Sequence, residues 1–245
     1  MGKKIRVQRR GRGGSVFRAS THNRTAPVRY PPVQKIGSET LKGKIEKLIH
    51  ESGRGAPLAF IRCENGMTFY NVASERVYEG QPIAIGVNAP IDVGNILPIS
   101  KIPDGTMIYN LETSPSDGGK LVRSSGTYAT LIAHTPAGAT VKFPSGKTAI
   151  INENARASIG LVAAAGRPEK PFIKAGEKYH LKRARGHKWP MPKGIAMVSV
   201  VHPHGGGRHK HLGKPGTVSR STPPGRKVGL IAARVTGRAR SRRAK

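Results

Sequence analysis

Residues 58–72 read Leu58-Ala-Phe-Ile-Arg-Cys63, Glu64-Asn-Gly66 and Met67-Thr-Phe-Tyr-Asn-Val72, and they give the clearest signal of secondary structure in the chain. Two runs rich in apolar and aromatic side chains flank the dipeptide Asn65-Gly66. Asn-Gly between two such runs is the strongest short-range signal for a β-hairpin, because both residues tolerate the positive φ that its turn requires. The stretch therefore predicts an antiparallel pair of strands.

Further short strands are predicted on the C-terminal side of this hairpin, at residues 82–86, 96–99, 106–111, 121–123, 127–134, 141–143 and 148–151. Residues 42–51 fit a helix or a strand equally well. Evenly spaced short strands with Gly and Pro turns are typical of small barrels or a sandwich and not of βαβ units. We therefore predict a mainly β centre, with a boundary near Asn88-Ala-Pro90 that gives two small domains, 36–90 and 91–178.

The net charge of +30 comes almost entirely from the two ends of the 245-residue chain. Residues 1–35 carry 10 Lys/Arg and no acid, and residues 179–245 carry 17 Lys/Arg and no acid. The 13 acidic residues all lie between them. A surplus of this size repels itself in an isolated compact protein, so the chain is expected to bind a polyanion.

Both ends are too poor in apolar residues to form a core of their own. They contain Gly-rich and Pro-rich stretches such as Arg9-Arg-Gly-Arg-Gly-Gly14 and Gly205-Gly-Gly207. Burial there cannot offset an ordering entropy of roughly 1–2 kcal/mol per residue. We predict extended basic segments, 1–35 and 179–245, that are disordered alone and become ordered on a partner.

Composition also argues against several other classes of protein. No apolar run approaches the ~20 residues that a membrane span needs, and no secretory signal is visible. A lone Cys63 allows neither an intramolecular disulfide nor a multi-Cys zinc site, which fits a reducing cytosol. Gly146-Lys-Thr148 resembles the end of a phosphate-binding P-loop, but Val141 stands where that motif needs glycine, so a hairpin turn is the better interpretation.

The most unusual decapeptide is His202-Pro-His-Gly-Gly-Gly-Arg-His-Lys-His211. Zinc binding is disfavoured because no acid or cysteine follows Glu177, which leaves a strongly positive field. A catalytic role for His202 is disfavoured because the residue before it is Val201 and not an acid that could orient the ring. We favour a polyanion-binding loop, in which glycine amides and cationic side chains contact phosphates.

Trp189 lies among six basic or histidine residues and has two interpretations, a local hydrophobic anchor or a platform that stacks on unpaired bases. The residues predicted to contact RNA in the two ends are basic, aromatic or glycine residues: Arg9, Arg10, Arg12, Arg183, Arg185, Lys188, Trp189, His202, His204, Gly205, Gly206, Gly207, Arg208, Lys210, Lys214, Arg226, Lys227, Arg234 and Arg238.

Several of these motifs together resemble a known family. Residues 194–197, His202–Gly207, Gly213-Lys-Pro215 and 225–234 are similar to the C-terminal motifs of the universal second protein of the large ribosomal subunit (the L-two family). Arg123-Ser-Ser-Gly-Thr127, 143–146 and 155–160 resemble its RNA-binding core. Gly2-Lys-Lys4 and Gly11-Arg-Gly13 resemble its archaeal and eukaryotic branch.

The resemblance implies an OB-like barrel followed by an SH3-like barrel, with both basic ends threaded into ribosomal RNA. It further implies a cytoplasmic, ribosomal protein that binds large-subunit rRNA near the peptidyl transferase centre. Subunit association, tRNA binding, peptide bond formation and contacts with other ribosomal proteins and the small subunit follow from the same resemblance. Motif matching adds Arg123 and Arg156 to the RNA contacts and makes His202 the counterpart of a histidine once proposed as catalytic. The family usually has an acid before that histidine, where this chain has Val201.

We expect a non-enzymatic protein without self-association, without a cofactor or metal of its own, and with any Mg²⁺ bound through the rRNA. Two other functions stay open from the sequence. One is a peptidyl transferase or hydrolase that uses His202, and the other is a general nucleic-acid condenser.

Overall fold

The computed structural model describes residues 2–33 and 40–236, so the predicted contact Arg238 lies outside the described residues. The described chain forms two compact units, residues 21–174 and the combination of 1–20 with 175–245. The four segments predicted from the sequence divide the chain differently, and their boundaries stay a prediction.

The unit 21–174 is built from a mainly antiparallel sheet of ten strands, which confirms the mainly β prediction. The strands are β1 (Leu41–Ile49), β2 (Leu58–Cys63), β3 (Thr68–Val72), β4 (Pro82–Ile85), β5 (Ile96–Pro98), β6 (Met107–Tyr109), β7 (Ala129–Thr135), β8 (Gly138–Lys142), β9 (Thr148–Ile151) and β10 (Arg156–Ile159). Their order in the sheet is β3-β2-β1-β4-β5-β10-β6-β7-β8-β9.

The Asn65-Gly66 hairpin forms as predicted. Strands β2 and β3 pair antiparallel from Leu58↔Val72 to Arg62↔Thr68, and Gly66 has a φ of 78°. The ambiguous segment 42–51 is the strand β1, because it pairs with β2 on one side and with β4 on the other. Tertiary pairing thus decides between two local conformations that the sequence left open.

The described residues of this unit form three hydrophobic clusters, one of which, with Leu58, Val72 and Tyr109, takes residues from both halves of the sheet. The other two lie in separate halves, as expected for an OB-like barrel followed by an SH3-like barrel. The first contains Ile45, Ile61 and Ile85 from β1, β2 and β4, and the second contains Ile108, Leu131 and Val141 from β6, β7 and β8. The two halves meet where β4 and β5 pair in parallel at Ile85↔Ile96. Each half therefore has its own core, and the ladder between them is short.

Some predicted elements differ in the structure. Residues 121–123 form only an isolated bridge, Leu111↔Leu121, and Val122 has a φ of 53°, which ends any extended run. Strand β10 was not predicted, because its residues are buried on both faces and show no alternating pattern. It lies between β5 and β6 and completes the second cluster.

The other unit contains two helices that were not predicted, α1 (Arg6–Arg10) and α2 (Ala175–Ala184), and two short parallel strands, β11 (Thr217–Val218) and β12 (Leu230–Ile231). Glu177 lies in the first turn of α2 and Lys182 and Arg183 in its last turn, which suits the helix dipole. Among the described residues of this unit, Ile5 and Val228 are the only buried apolar side chains. Within the described ranges, no helix is long and apolar enough to cross a membrane.

Candidate nucleic-acid interface

The unit 21–174 carries an arginine cluster, which we define as Arg24, Arg29, Arg54 and Arg123. Arg54 lies in the loop between β1 and β2, and Arg123 follows the Leu111↔Leu121 bridge. Burial, together with the charges of Arg54 and Arg29, lowers the pKa of Arg123 to about 10. Burial likewise lowers the pKa of Arg54, with Arg24 adding to the effect. Arg123 is therefore repelled by Arg54 and Arg29, and Arg54 by Arg24.

Few acids compensate this cluster. Glu51 is buried and lies 3.6 Å from Arg24 Nε, and its carboxylate also accepts hydrogen bonds from the amides of Thr25 and Gly53. Asp117 raises the pKa of Arg123 only as a minor contribution. The cluster has four positive charges and only these two carboxylates near it, so it carries a local excess of positive charge that a bound anion would neutralise.

The guanidinium of Arg123 is held in place by the backbone. Its Nη1 donates to the Gly119 carbonyl at 2.9 Å and its Nη2 to the Val28 carbonyl at 3.0 Å. The Nε atoms of Arg54 and Arg123 are buried and have no hydrogen-bond partner among the described residues. Arg123 was predicted from its motif, whereas Arg54 was missed; its one local signal is the tight Ser52-Gly-Arg-Gly55 loop.

Arg156 does not reach the surface, which corrects its assignment as an RNA contact. Arg156 is 5% exposed to solvent, and its partner Glu112 is 0% exposed. Arg156 Nη2 lies 2.6 Å from Glu112 Oε1 and Nε 3.1 Å from Oε2, while Nη1 donates to the Pro31 carbonyl at 2.7 Å. The guanidinium also lies 5.3 Å from the centre of the Tyr30 ring. With its donors directed to these partners, Arg156 stabilises the interior.

The histidine loop (residues 202–211) fixes His202 in one neutral form. The backbone amide of His204 donates to His202 Nδ1 at 3.1 Å, so the proton of the neutral ring is on Nε2. Burial lowers the pKa of His202, and the charges of His204 and Arg6 lower it further. Gly194 lies against the ring so closely that a Cβ there would overlap it.

Two of the three glycines of the loop use their amides within the fold, which corrects the phosphate-binding role predicted for those two, while the role of Gly207 stays a prediction. The amide of Gly205 donates to the His202 carbonyl at 2.9 Å and that of Gly206 to the Met197 carbonyl at 3.0 Å. A Cβ on Gly205 would overlap the carbonyl oxygens of Met197 and Val198, so only glycine allows this chain crossing. Gly207 is exposed and leads into the cationic part of the loop.

Trp189 is half-exposed and lies beneath Lys178, whose Nζ is 5.6 Å from the ring centre. A cation over an indole face is attracted to it, and the face remains partly open to solvent. Trp189 is therefore not a fully buried anchor, while its role as a base-stacking platform stays a prediction.

Most other predicted contacts are at the surface. Those that are exposed are Arg9, Arg10, Arg12, Arg183, Lys188, Arg208, Lys210, Lys214, Arg226 and Arg234; Arg185 and Lys227 are half-buried and His204 is buried. Apart from Glu177, the described residues of this unit include no acid. Its surface therefore suits an anionic partner.

No metal site is found in the part of the chain that the structure describes, and His202 has no carboxylate partner there. The carboxylates of Glu153 and Asp104 instead lie 3.4 and 3.7 Å from the ring nitrogens of His134, in the unit 21–174. No group of three or more His, Cys, Asp or Glu residues there could hold a metal ion. None of the hydrogen bonds or ion pairs formed within 2–33 and 40–236 joins His202 to a carboxylate. An orienting acid of the kind that a catalytic histidine normally uses is thus missing from its described neighbours.

Comparisons with known proteins agree with the motifs. Residues 92–227 match the family model described as Ribosomal Proteins L2, C-terminal domain. The chain is 50% identical over 244 residues to the large ribosomal subunit protein uL2 of Korarchaeum cryptofilum, covering 100% of this chain and 99% of that one. It is 51% identical over 238 residues to the same protein of Hyperthermus butylicus, covering 97% and 99%. The corresponding protein of Methanothermobacter thermautotrophicus is 50% identical over 241 residues, covering 98% and 100%.

Proposed function

The chain belongs to the uL2 family of large ribosomal subunit proteins, and from this we propose that it binds and orders large-subunit rRNA through two separate surfaces. It is a structural constituent of the large subunit of the cytoplasmic ribosome. The first surface is the arginine cluster, and the second is the basic unit formed by residues 1–20 and 175–245. The observation that carries the proposal is the excess of guanidinium charge at the half-buried Arg54 and Arg123, whose Nε atoms have no hydrogen-bond partner among the described residues.

The arginine cluster has the features of a phosphate site. Desolvated guanidinium groups with donors to spare bind phosphate oxygens strongly, because charge-assisted hydrogen bonds gain in a low-dielectric setting. Burial is the main cause of the lowered pKa of Arg123, and a bound phosphate would offset the charges of Arg54 and Arg29 that lower it further. The barrels would thus recognise the backbone of folded RNA and not its sequence.

The basic ends act by a different mechanism. The unit buries few apolar side chains and carries almost no acid, so contacts with RNA phosphates supply much of the stabilisation that a core would give. Each Lys or Arg that neutralises a phosphate releases counterions, and ~15 such contacts give a slope near −14 in log K against log salt. We place these ends near the peptidyl transferase centre, where they support tRNA binding and contacts between the subunits.

The protein acts without catalysis and without a cofactor of its own, with any Mg²⁺ held through the rRNA. The neutral His202, which accepts a hydrogen bond at Nδ1 and has no described acidic partner, supports a structural role for the histidine loop. A peptidyl transferase function would need His202 to exchange protons. A nucleic-acid condenser would need no site as localised as the arginine cluster.

The test replaces both half-buried arginines, Arg54 and Arg123. We expect Arg54→Met with Arg123→Met to weaken binding to large-subunit rRNA by at least 100-fold. Arg62→Met is the matched control, because Arg62 is exposed and pairs with Glu46 at 2.7 Å. The control should change affinity less than threefold. Equal losses in the pair and in the control, or equal affinity of the native chain for duplex DNA and rRNA, would contradict the proposal and favour a condenser.

A further inference from the structure

The unit formed by residues 1–20 and 175–245 contains a cavity of about 620 Å³. Three stretches of chain enclose it: the N-terminal residues 2–5, the histidine loop with the residues before it, and residues 214–228. The N-terminal stretch is held in place where the Lys3 amide donates to the Val200 carbonyl at 2.8 Å. Cavities of roughly 300–1,000 Å³ are of the size that holds a small ligand.

The walls of the cavity combine apolar and cationic groups. Ile5 and Val228 are buried and Val201 is half-buried, so part of the lining is apolar. Lys3 and Lys214 also line the cavity and are exposed. Arg226 adds a third exposed cation, and no Asp or Glu is among the lining residues. Such a cavity favours a ligand with a flat apolar part and a negative charge.

His202 adds a directed polar group to this wall. Its Nδ1 is occupied by the His204 amide, so its Nε2–H is the donor that remains. The ring packs against Gly194, where a Cβ would overlap it. A neutral donor recognises an acceptor atom, such as a base carbonyl or ring nitrogen, without adding another positive charge.

We propose that this cavity binds one unpaired nucleotide of RNA, with the base among Ile5, Val201 and Val228 and the flanking phosphates at Lys3, Lys214 and Arg226. This inference rests on the proposed rRNA binding and adds a site for a single extruded base. An unpaired base suits this site better than a paired one, because its hydrogen-bonding edge is free to meet the His202 donor whereas that of a paired base is occupied by its partner. Unstacked bases are the form in which RNA is read by side chains.

The test uses the full-length chain bound to deproteinised large-subunit rRNA, with chemical probing of every base and measurement of affinity. Thr222→Trp fills the cavity from its wall, and Ser221→Trp places the same side chain at an exposed position outside the lining. A second pair removes charge without adding volume: Lys214→Met inside the lining and Lys210→Met outside it. The second pair decides the outcome if Thr222→Trp does not fold.

We expect native protein to protect one unpaired base that both cavity variants leave reactive. Affinity should fall about tenfold in Thr222→Trp, as for loss of one stacked base, and should be unchanged in Ser221→Trp. Lys214→Met should lower affinity more than Lys210→Met. Identical base protection in all variants would overturn the cavity site while leaving rRNA binding intact. A native chain that does not bind the rRNA would instead overturn the proposed function. An acidic peptide that occupies the cavity while the base stays reactive would also overturn the site.

Discussion

Replacing Glu112 by glutamine should destabilise the unit 21–174 by about 3–5 kcal/mol, because it leaves the Arg156 cation buried without its counter-charge. The Glu112 carboxylate accepts three hydrogen bonds from Arg156, at 2.9 Å from the backbone amide and at 3.1 and 2.6 Å from the guanidinium. It also accepts from the amides of Ser116 and Gly118. A glutamine offers one acceptor oxygen and turns an NH₂ group toward some of these donors.

This loss is large relative to the total stability of a domain, which is about 5–15 kcal/mol. With a urea m-value of about 2 kcal/mol per M, the unfolding midpoint should fall by about 2 M. The measurement is urea unfolding of the RNA-free chain followed by near-UV circular dichroism. Glu46→Gln is the matched control, because Glu46 pairs with the exposed Arg62 and should cost less than about 1 kcal/mol.

The double variant Glu112→Gln with Arg156→Met separates charge from packing. Arg156→Met alone leaves the Glu112 anion buried and should cost about as much as Glu112→Gln. If the ion pair is responsible, the double variant should be clearly more stable than the sum of the two losses predicts. Glu112→Gln with a midpoint equal to that of the native chain would refute this reasoning. So would Arg156→Met that unfolds normally but no longer binds rRNA, since that result would make Arg156 an RNA contact.

Three other predictions concern separate parts of the chain. Burial alone would raise the pKa of Asp117, but hydrogen bonds from Thr113, Ser114 and Gly119 lower it to about 2. The stability that this carboxylate contributes is complete above pH ~4 and is lost as the pH falls toward 2. The urea midpoint of Asp117→Asn should therefore vary less with pH over that window than the midpoint of the native chain. Gly229→Ala should make the region of β11 and β12 more sensitive to protease, because Gly229 has a φ of 86° and a Cβ there would overlap the Gly216 carbonyl. The control Gly225→Ala should leave the protease sensitivity unchanged. His202→Gln in assembled large subunits should change single-turnover peptide bond formation less than about threefold; a general acid–base role would cost about 10²–10⁴-fold.

Local sequence was enough for the elements that depend on neighbouring residues. The hairpin at Asn65-Gly66 was predictable because its turn chemistry and its flanking apolar runs are all within 58–72. Strand β10 was not predictable, because its four residues are buried on both faces. A buried strand this short has no alternating pattern that distinguishes it from a segment of a buried helix. Residues 42–51 needed their partners β2 and β4 before the strand could be distinguished from a helix.

The candidate site shows the same division. Arg123 and Arg156 looked equivalent in the sequence, but Arg156 meets Glu112 and Pro31, which lie 44 and 125 positions away along the chain. Arg54 carried no comparable motif and became a candidate only through its charge contact with Arg123. The glycines at 205 and 206 were expected to offer free amides, and folding directs those amides to the carbonyls of His202 and Met197.

Residue order alone was enough to predict a β centre, acid-free ends and a large surplus of positive charge, because turn chemistry and total charge are properties of the chain as written. Folding was needed to show which of those cations stay exposed and which are paired in the interior. A guanidinium group is paired within the protein when folding brings carboxylates or carbonyls next to it, and it stays free to bind an anion when folding does not. Those partner groups come from distant parts of the chain.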